Sequence, residues 1–267
     1  MKGLAIRVIT AIVFVAIVLG AIWGGVYSYA ALFLVVQSLA LWELSILTSP
    51  AQRGNAFWLI ITGMLVYAAF LLVSMQRVPQ TVLLVVPMVF VITAIREVWG
   101  TKQPAFRSFS ITVSGLVLVC LPIGLMHLAF VTGPFLDRWT LMGILVLVWI
   151  YDSSAYLVGS AIGRTKLAPV ISPAKTIEGL IGGAVLCMVA AWPVYLYLGS
   201  HPLWEWLVFA GIVVVFGTAG DLVESKFKRY AGVKDSGALL PGHGGILDRF
   251  DNFLFTITFI GVYILLR

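Results

Sequence analysis

Long apolar runs separated by short polar loops dominate the pattern of this chain. A membrane-crossing helix needs about 20 mostly apolar residues. We find nine such runs, at 4–23, 29–47, 57–75, 80–98, 109–131, 140–162, 177–198, 203–220 and 252–266. The last run is short, and we expect its helix to begin near Asp248. Transmembrane β-barrels show short segments of alternating hydrophobicity instead. The pattern therefore predicts an all-α integral membrane protein with about nine transmembrane helices.

Composition supports the same class. The 267 residues are 61% hydrophobic and 10% charged, and the mean hydropathy is +1.06. Soluble domains are about 25% charged, so this chain has too few polar residues to cover a water-facing surface. A soluble globular protein is excluded. Cys120 and Cys187 both lie inside apolar runs, which favours packing roles for them.

The distribution of positive charge orients the predicted helices. With an inner N-terminus and nine crossings, 14 of the 17 lysines and arginines fall on the inner side, and Arg77, Arg138 and Arg267 fall outside. The positive-inside rule then predicts a cytoplasmic N-terminus and an external C-terminus. Topology and lipid contact account for the net charge of +6, so no nucleic-acid partner is expected. The expected location is the inner (plasma) membrane.

Residues that could carry chemistry are concentrated in the second half of the chain. We expect one membrane domain, in which 1–108 form N-terminal helices and 109–267 carry the catalytic motifs, at 151–179 and 221–252. Asp152 lies about halfway along the sixth predicted helix, and an ionisable residue inside a membrane is a functional candidate. Gly159 and Gly163 follow on roughly the same helix face. For these two glycines we favour close helix packing over ligand binding.

The first motif region also predicts a phosphate site at the start of the seventh helix. Ser172 would be the N-cap and Pro173 the first helical residue. Lys175 would then lie in the first turn, where free N–H groups favour an anion. The alternative is a basic patch that contacts lipid headgroups. The substrate-binding candidates here are Asp152, Lys166, Ser172, Lys175, Thr176 and Glu178.

The second motif region contains two polar stripes at helical spacing. One stripe consists of Asp221, Glu224, Ser225 and Lys228, and the other of Asp248, Asp251 and Asn252. Facing carboxylates can hold hard divalent cations. The glycine-rich segment 241–245 and its basic neighbours can surround phosphates. Together these features favour a metal–nucleotide site over a surface loop with ion pairs.

The run from Ser225 to Asp251 resembles the signature of phosphatidate cytidylyltransferases, also called CDP-diacylglycerol synthases. It contains SKFKR, KDSG and PGHGGILDRFD at the spacing of that signature, with no departure from it. The segment 151–179 and the multi-span layout resemble the family as well. The resemblance implies that CTP and phosphatidic acid react to give CDP-diacylglycerol and pyrophosphate, with Mg²⁺ as the cofactor and a second cation left open. It also implies a homodimer and a polar cavity that opens to the cytoplasm. The reaction itself would require the cavity to open sideways to lipid as well, to admit the diacyl tails.

This chemistry suggests roles for the polar residues. Asp221 and Asp248 would be metal ligands, with Asp251 and Glu224 supporting them. The candidates for phosphate neutralisation are Lys175, Lys228, Arg229, Lys234 and Arg249. The remaining site candidates are Asp235, Ser225, His243, Gly244 and Gly245, of which the two glycines would supply backbone contacts. A phosphate monoester is already ionised near neutral pH, so His243 is expected to donate a hydrogen bond or to stabilise its loop rather than act as a base.

Two other functions stay open at this point. A CTP-dependent lipid kinase would transfer the γ-phosphoryl group and release CDP instead of pyrophosphate. A membrane transporter would also place carboxylates in the membrane, but it would not need the polar loop with its lysines and glycines. For the carboxylates Asp221 and Asp248 a structural role is a further alternative, in which they form ion pairs with Lys228 and Arg249.

The first prediction concerns topology. Single cysteines are placed at positions 2 and 267 on a cysteine-free background. Because of the distribution of positive charge, a thiol reagent should reach position 2 from the cytoplasm and position 267 from outside. Labelling of intact cells with a membrane-impermeant maleimide measures this. External labelling at position 2, or cytoplasmic labelling alone at 267, contradicts nine crossings in this orientation.

Overall fold

A computed structural model describes residues 2–48, 53–99, 107–239, 242 and 244–267. Helices dominate the described part of the chain, and two short antiparallel hairpins interrupt them. The α-helices are α1 Lys2–Trp23, α2 Val26–Thr48, α3 Arg53–Ser74, α4 Val85–Trp99, α5 Arg107–Gly115, α6 Leu121–Phe130, α7 Arg138–Ile162, α8 Ile177–Leu198, α9 Leu203–Ile212, α10 Thr218–Tyr230 and α11 Leu247–Leu266. The strands are β1 Val131–Thr132, β2 Phe135–Leu136, β3 Lys166–Ala168 and β4 Ser172–Thr176.

Single π-helical turns join some of these α-helices into longer continuous helices. The π-helical turn Leu116–Cys120 connects α5 to α6, and Val213–Gly217 connects α9 to α10. Within the described residues, eight helical segments are long and apolar enough to cross a membrane. They correspond to eight of the nine predicted runs, which confirms the all-α membrane class. The helix of the last run begins at Leu247, next to the expected Asp248.

The fourth predicted run forms a shorter apolar helix, at Gln80–Arg96. A 3₁₀ turn over Gln80–Leu84, entered from extended Pro79, takes up its first five residues and leaves 15 residues for α4. The helix nevertheless runs the length of its neighbour α3. Its Arg96 guanidinium lies 5.0 Å from the Trp58 ring centroid, close to the beginning of α3.

Contacts between helix ends give the bundle two distinct ends. Arg7, at the beginning of α1, lies beside Gly242 in the loop that precedes α11. At the opposite end, Arg138 Nη1 donates to the Trp23 carbonyl at 3.3 Å, and Arg267 pairs with Glu205 at 2.6 Å. The first helix therefore begins, and the last helix ends, at opposite ends of the bundle. Which end faces the cytoplasm stays a prediction, as does the division at residue 108.

Glycines allow α7 and α8 to pack closely. A Cβ atom built at Gly183 would lie 2.8 Å from the Ala155 Cβ, and one at Gly159 would lie 2.9 Å from Thr176 Oγ1 and 3.5 Å from the Gly179 Cα. The packing role expected for Gly159 agrees with these contacts. Gly163 lies beyond the last helical residue, as the C-cap of α7.

The predicted beginning of the seventh helix was wrong. Ser172 and Lys175 belong to strand β4, which pairs antiparallel with β3 so that Lys166 lies opposite Thr176. The N-cap of α8 is Thr176, whose Oγ1 accepts the Gly179 N–H at 3.1 Å. Thr176 directly precedes the apolar run and offers a better-placed cap. Pro173 is tolerated in β4 because a two-stranded hairpin has only edge strands.

Candidate functional site

A cavity of about 530 Å³ lies among α7, α8, α10, α11 and the β3–β4 hairpin. Its size falls within the range of small-molecule sites, roughly 300–1,000 Å³. The two motif regions, far apart in sequence, meet here. Nine of the site candidates line this cavity: Asp152, Lys175, Thr176, Asp221, Lys228, Asp235, Asp248, Arg249 and Asp251.

Carboxylates from three helices converge on the cavity. Asp152 comes from α7, Asp221 from α10 and Asp251 from α11. Asp251 lies close enough to Asp221 and Asp152 to be repelled by both. The Asp152 carboxylate accepts a hydrogen bond from Asn252 Nδ2 at 2.6 Å. This concentration of negative charge requires compensation by cations or hydrogen-bond donors.

Two lysines supply much of that compensation. Lys175, from β4, forms an ion pair with Asp221, whose other oxygen accepts from Ser225 Oγ at 3.1 Å. Lys228, from α10, bridges Glu224 at 2.5 Å and Asp248 at 2.7 Å. Lys175 thus lies in a strand and not at the predicted helix terminus, and its ammonium group pairs with a carboxylate. Both lysines line the cavity, where a phosphate group would meet them.

Asp248 and Asp221 differ in their surroundings. The Asp248 side chain is 5% exposed, and its Oδ2 accepts the N–H groups of Ser236 and Gly245, both at 2.8 Å. With Lys228 on Oδ1, both oxygens of Asp248 are occupied by protein donors. The Asp221 side chain is 31% exposed. Asp221 is therefore the more accessible carboxylate, and Asp248 ties the loop before α11 to α10.

The glycine-rich segment is only partly available to a ligand. Gly245 is buried and its N–H donates to Asp248, so this N–H is not directed at a phosphate in the structure. Gly244 adopts φ +83° beside the Asp248 carboxylate, a conformation that favours glycine. His243 lies outside the described residues.

Other site candidates lie around the cavity rather than on its wall. The Glu178 carboxylate accepts the N–H groups of Arg164 at 3.0 Å and Thr165 at 3.1 Å, which anchors the segment between α7 and β3. Arg229 Nε donates to the Ile171 carbonyl at 3.2 Å and holds the hairpin against α10. The described site candidates that do not line the cavity are Lys166, Ser172, Glu178, Glu224, Ser225, Arg229, Lys234, Gly244 and Gly245.

Two polar residues of the wall that sequence reasoning left out connect α7 to α10. Tyr151 and Thr218 join their hydroxyls in a hydrogen bond between α7 and α10, and Thr218 also donates to the Val214 carbonyl at 2.6 Å. Both line the cavity. Each is one helical turn or less from an acidic residue, Asp152 or Asp221, which is the sequence signal that could have identified them.

The described residues do not contain a preformed cluster of three or more histidine, cysteine or acidic side chains arranged to hold a metal ion. The chemistry of the donors still suits a hard cation, since Mg²⁺ prefers a few carboxylates together with substrate phosphates over an all-protein cage. Asp221, Asp251 and Asp152 all line the cavity and could supply such oxygens. The residues present therefore fit a magnesium ion that is shared with a phosphate-bearing ligand.

The fold and cavity define a multi-span α-helical membrane protein with a charged site at one end of its bundle. The sequence model of the Cytidylyltransferase family matches residues 5–267, and the chain belongs to that family.

Individual relatives match over shorter stretches. A phosphatidate cytidylyltransferase of Staphylococcus saprophyticus is 44% identical over 144 residues, covering 54% of this chain and 55% of the relative. One from Staphylococcus epidermidis is 45% identical over 129 residues, with 48% and 49% covered. One from Staphylococcus aureus is 48% identical over 122 residues, with 45% and 46% covered. The chain thus spans about half the length of the curated relatives it matches.

The structural role of Asp248 generates the second prediction. Asp248→Asn should lower the free energy of unfolding by about 2–3 kcal/mol, because an amide offers one acceptor and one donor where Asp248 meets three donors. Thermal unfolding in detergent micelles measures the loss.

The control is Asp137→Asn at the other end of the bundle. Asp137 caps α7 by accepting the Thr140 N–H at 3.2 Å, and asparagine caps helices equally well, so its unfolding temperature should stay unchanged. An Asp248→Asn protein that unfolds at the wild-type temperature contradicts the tethering role.

Proposed function

We propose that this protein transfers the cytidylyl group of CTP to phosphatidic acid, which yields CDP-diacylglycerol and pyrophosphate. The observation that carries the proposal is the pairing of clustered carboxylates with lysines in one cavity, within a chain of the Cytidylyltransferase family. The names of the staphylococcal relatives support phosphatidate as the acceptor.

The reaction joins an oxygen of the lipid phosphate to the α-phosphorus of CTP. The bond from that phosphorus to the oxygen of the β-phosphate breaks, and pyrophosphate leaves with the electron pair. Nucleophile, reacting centre and leaving group are all anionic, so the protein must align them and offset their repulsion. Lys175, Lys228 and Arg249 line the cavity and would contact the phosphates. No side chain needs to remove a proton from the ionised phosphate.

Magnesium, when bound, would neutralise phosphate charge and orient the reacting oxygens. Asp221 would hold it together with Asp251 or Asp152, since these carboxylates share the cavity wall. Asp248 and Glu224 are paired with Lys228, so they would join the ligands only if Lys228 turned toward a phosphate. Each lysine would thus exchange a carboxylate partner for a phosphate partner as the site fills.

We further propose that the cavity end of the bundle faces the cytoplasm at the inner membrane, where CTP is available. The cavity would admit CTP from water and the diacyl tails from surrounding lipid. Fourteen of the 17 basic residues fall on the predicted inner side, which supports this orientation. The homodimer implied by the family resemblance stays a prediction.

The third prediction concerns which product receives the radioactive phosphorus of labelled CTP. Purified protein incubated with phosphatidate vesicles, Mg²⁺ and [α-³²P]CTP should transfer the label into a lipid, whereas [γ-³²P]CTP should release labelled pyrophosphate. Thin-layer chromatography separates these products. Label from the γ position in the lipid would instead indicate a kinase and overturn the proposal. Absence of any CTP turnover, together with transport of a solute, would indicate the transporter.

A further inference from the structure

Glu43 lies near the end of α2, in the half of the chain to which the sequence analysis assigned no chemistry. The residue is 6% exposed. Its carboxylate accepts hydrogen bonds from Ser236 Oγ at 2.8 Å, from the Ile246 N–H at 2.9 Å and from the Leu247 N–H at 2.9 Å. All three donors belong to the segment that leads from α10 into α11. A side chain about 200 positions away in sequence therefore anchors the loop of the candidate site.

Glycines in this loop make room for the carboxylate. A Cβ atom at Gly237 would lie 2.6 Å from Glu43 Oε1, and one at Gly245 would collide with both Ser236 Oγ and Glu43 Oε2. A side chain at either glycine would therefore force the buried Glu43 carboxylate or its donors to shift. The loop is thus folded directly around Glu43.

The first N–H groups of α11 find their acceptor on another helix. Its N-cap residue, Ile246, is apolar and offers no side-chain acceptor. Glu43 accepts the N–H groups of Ile246 and Leu247, while Asp248 accepts that of Gly245. Negative charge is stabilised at a helix N-terminus by these N–H groups and by the helix dipole. Glu43 therefore acts as the cap that the local sequence of α11 lacks.

Ser236 links this cap to the cavity. Its hydroxyl donates to Glu43, and its N–H donates to Asp248 at 2.8 Å. Asp235, the preceding residue, lines the cavity together with Asp248. A shift of Ser236 would move both aspartates.

We propose that Glu43 is a positioning residue, which holds the α10–α11 loop so that Asp235 and Asp248 face the cavity. The effect on turnover rests on the proposed cytidylyl transfer, whereas the effect on loop structure does not. Glu205 serves as the matched control. It is a fully buried carboxylate at the opposite end of the bundle, paired with Arg267 at 2.6 Å and His201 at 2.5 Å.

Hydrogen exchange tests the structural part. Glutamine keeps the shape of glutamate but has one acceptor oxygen and an amide that cannot accept from the remaining donors. In Glu43→Gln, peptides that cover 244–248 should exchange at least about tenfold faster, because hydrogen bonds to a charged acceptor are lost. Peptides from 255–265 should keep the wild-type rate. Glu205→Gln should leave 244–248 unchanged.

Steady-state kinetics test the positioning part. Because small displacements of catalytic groups cost about 100-fold in rate, kcat per folded molecule should fall by about that factor in Glu43→Gln. Glu205→Gln should retain a kcat close to wild type even if its unfolding temperature drops. Loss of kcat without a comparable loss of folded protein separates positioning from general stabilisation.

The outcomes are distinguishable. A wild-type protein without CTP turnover would defeat the proposed function, and the exchange data would still decide whether Glu43 holds the loop. Wild-type exchange over 244–248 in Glu43→Gln overturns the inference, as does faster exchange with unchanged kcat. If Glu43→Gln does not fold, Ser236→Ala removes one of the three donors. Because Ile246 and Leu247 keep Glu43 as their acceptor, exchange over 244–248 should rise by less than in Glu43→Gln, and kcat should still fall. Unchanged exchange together with unchanged kcat would overturn the inference.

Discussion

Compensation of buried negative charge at one end of a helical bundle is the constraint on which the rest of the site depends. Lysine side chains and backbone N–H groups supply the partners of these carboxylates. Lys175 pairs with Asp221, Lys228 bridges Glu224 and Asp248, and backbone N–H groups satisfy Glu43. An uncompensated charge in such surroundings would cost several kcal/mol. The positions of α2, α10, α11 and the β3–β4 hairpin are therefore coupled through charge as well as through apolar packing.

The compensation is unequal, and this inequality distinguishes Asp248 from Asp221. Two backbone N–H groups and Lys228 hold the buried Asp248 side chain, whereas the more exposed Asp221 is held by side chains alone, those of Lys175 and Ser225. Asp251 adds a second carboxyl group close to Asp221. Under the proposed function, a cation or a phosphate that enters the cavity would replace these lysine contacts. The arrangement thus combines a fixed loop with exchangeable charge partners.

Helical periodicity explains why so much of this could be predicted from sequence. The spacing of Asp221, Glu224 and Lys228 placed them on one face of α10, and apolar length located the spans. The β3–β4 hairpin could not be predicted in this way, because Ser172 and Pro173 have the composition of a helix start while Thr176 is the actual cap. The role of Glu43 could not be predicted for a different reason. Its partners lie about 200 residues away, and no local sequence pattern predicts a contact across that separation. Local signals identified the elements, whereas tertiary contacts decided which carboxylate is structural.

Cation binding by the purified protein tests the central claim most directly. Mn²⁺ can replace Mg²⁺, and the EPR signal of free Mn²⁺ reports how much the protein binds in the absence of CTP, which would bind the cation itself. If Asp221 is a ligand and Lys175 competes with the cation for it, Asp221→Asn should weaken Mn²⁺ binding at least about tenfold, and Lys175→Gln should strengthen it. Equal Mn²⁺ affinities in the wild type and both variants would contradict the assignment of this carboxylate cluster as a cation site.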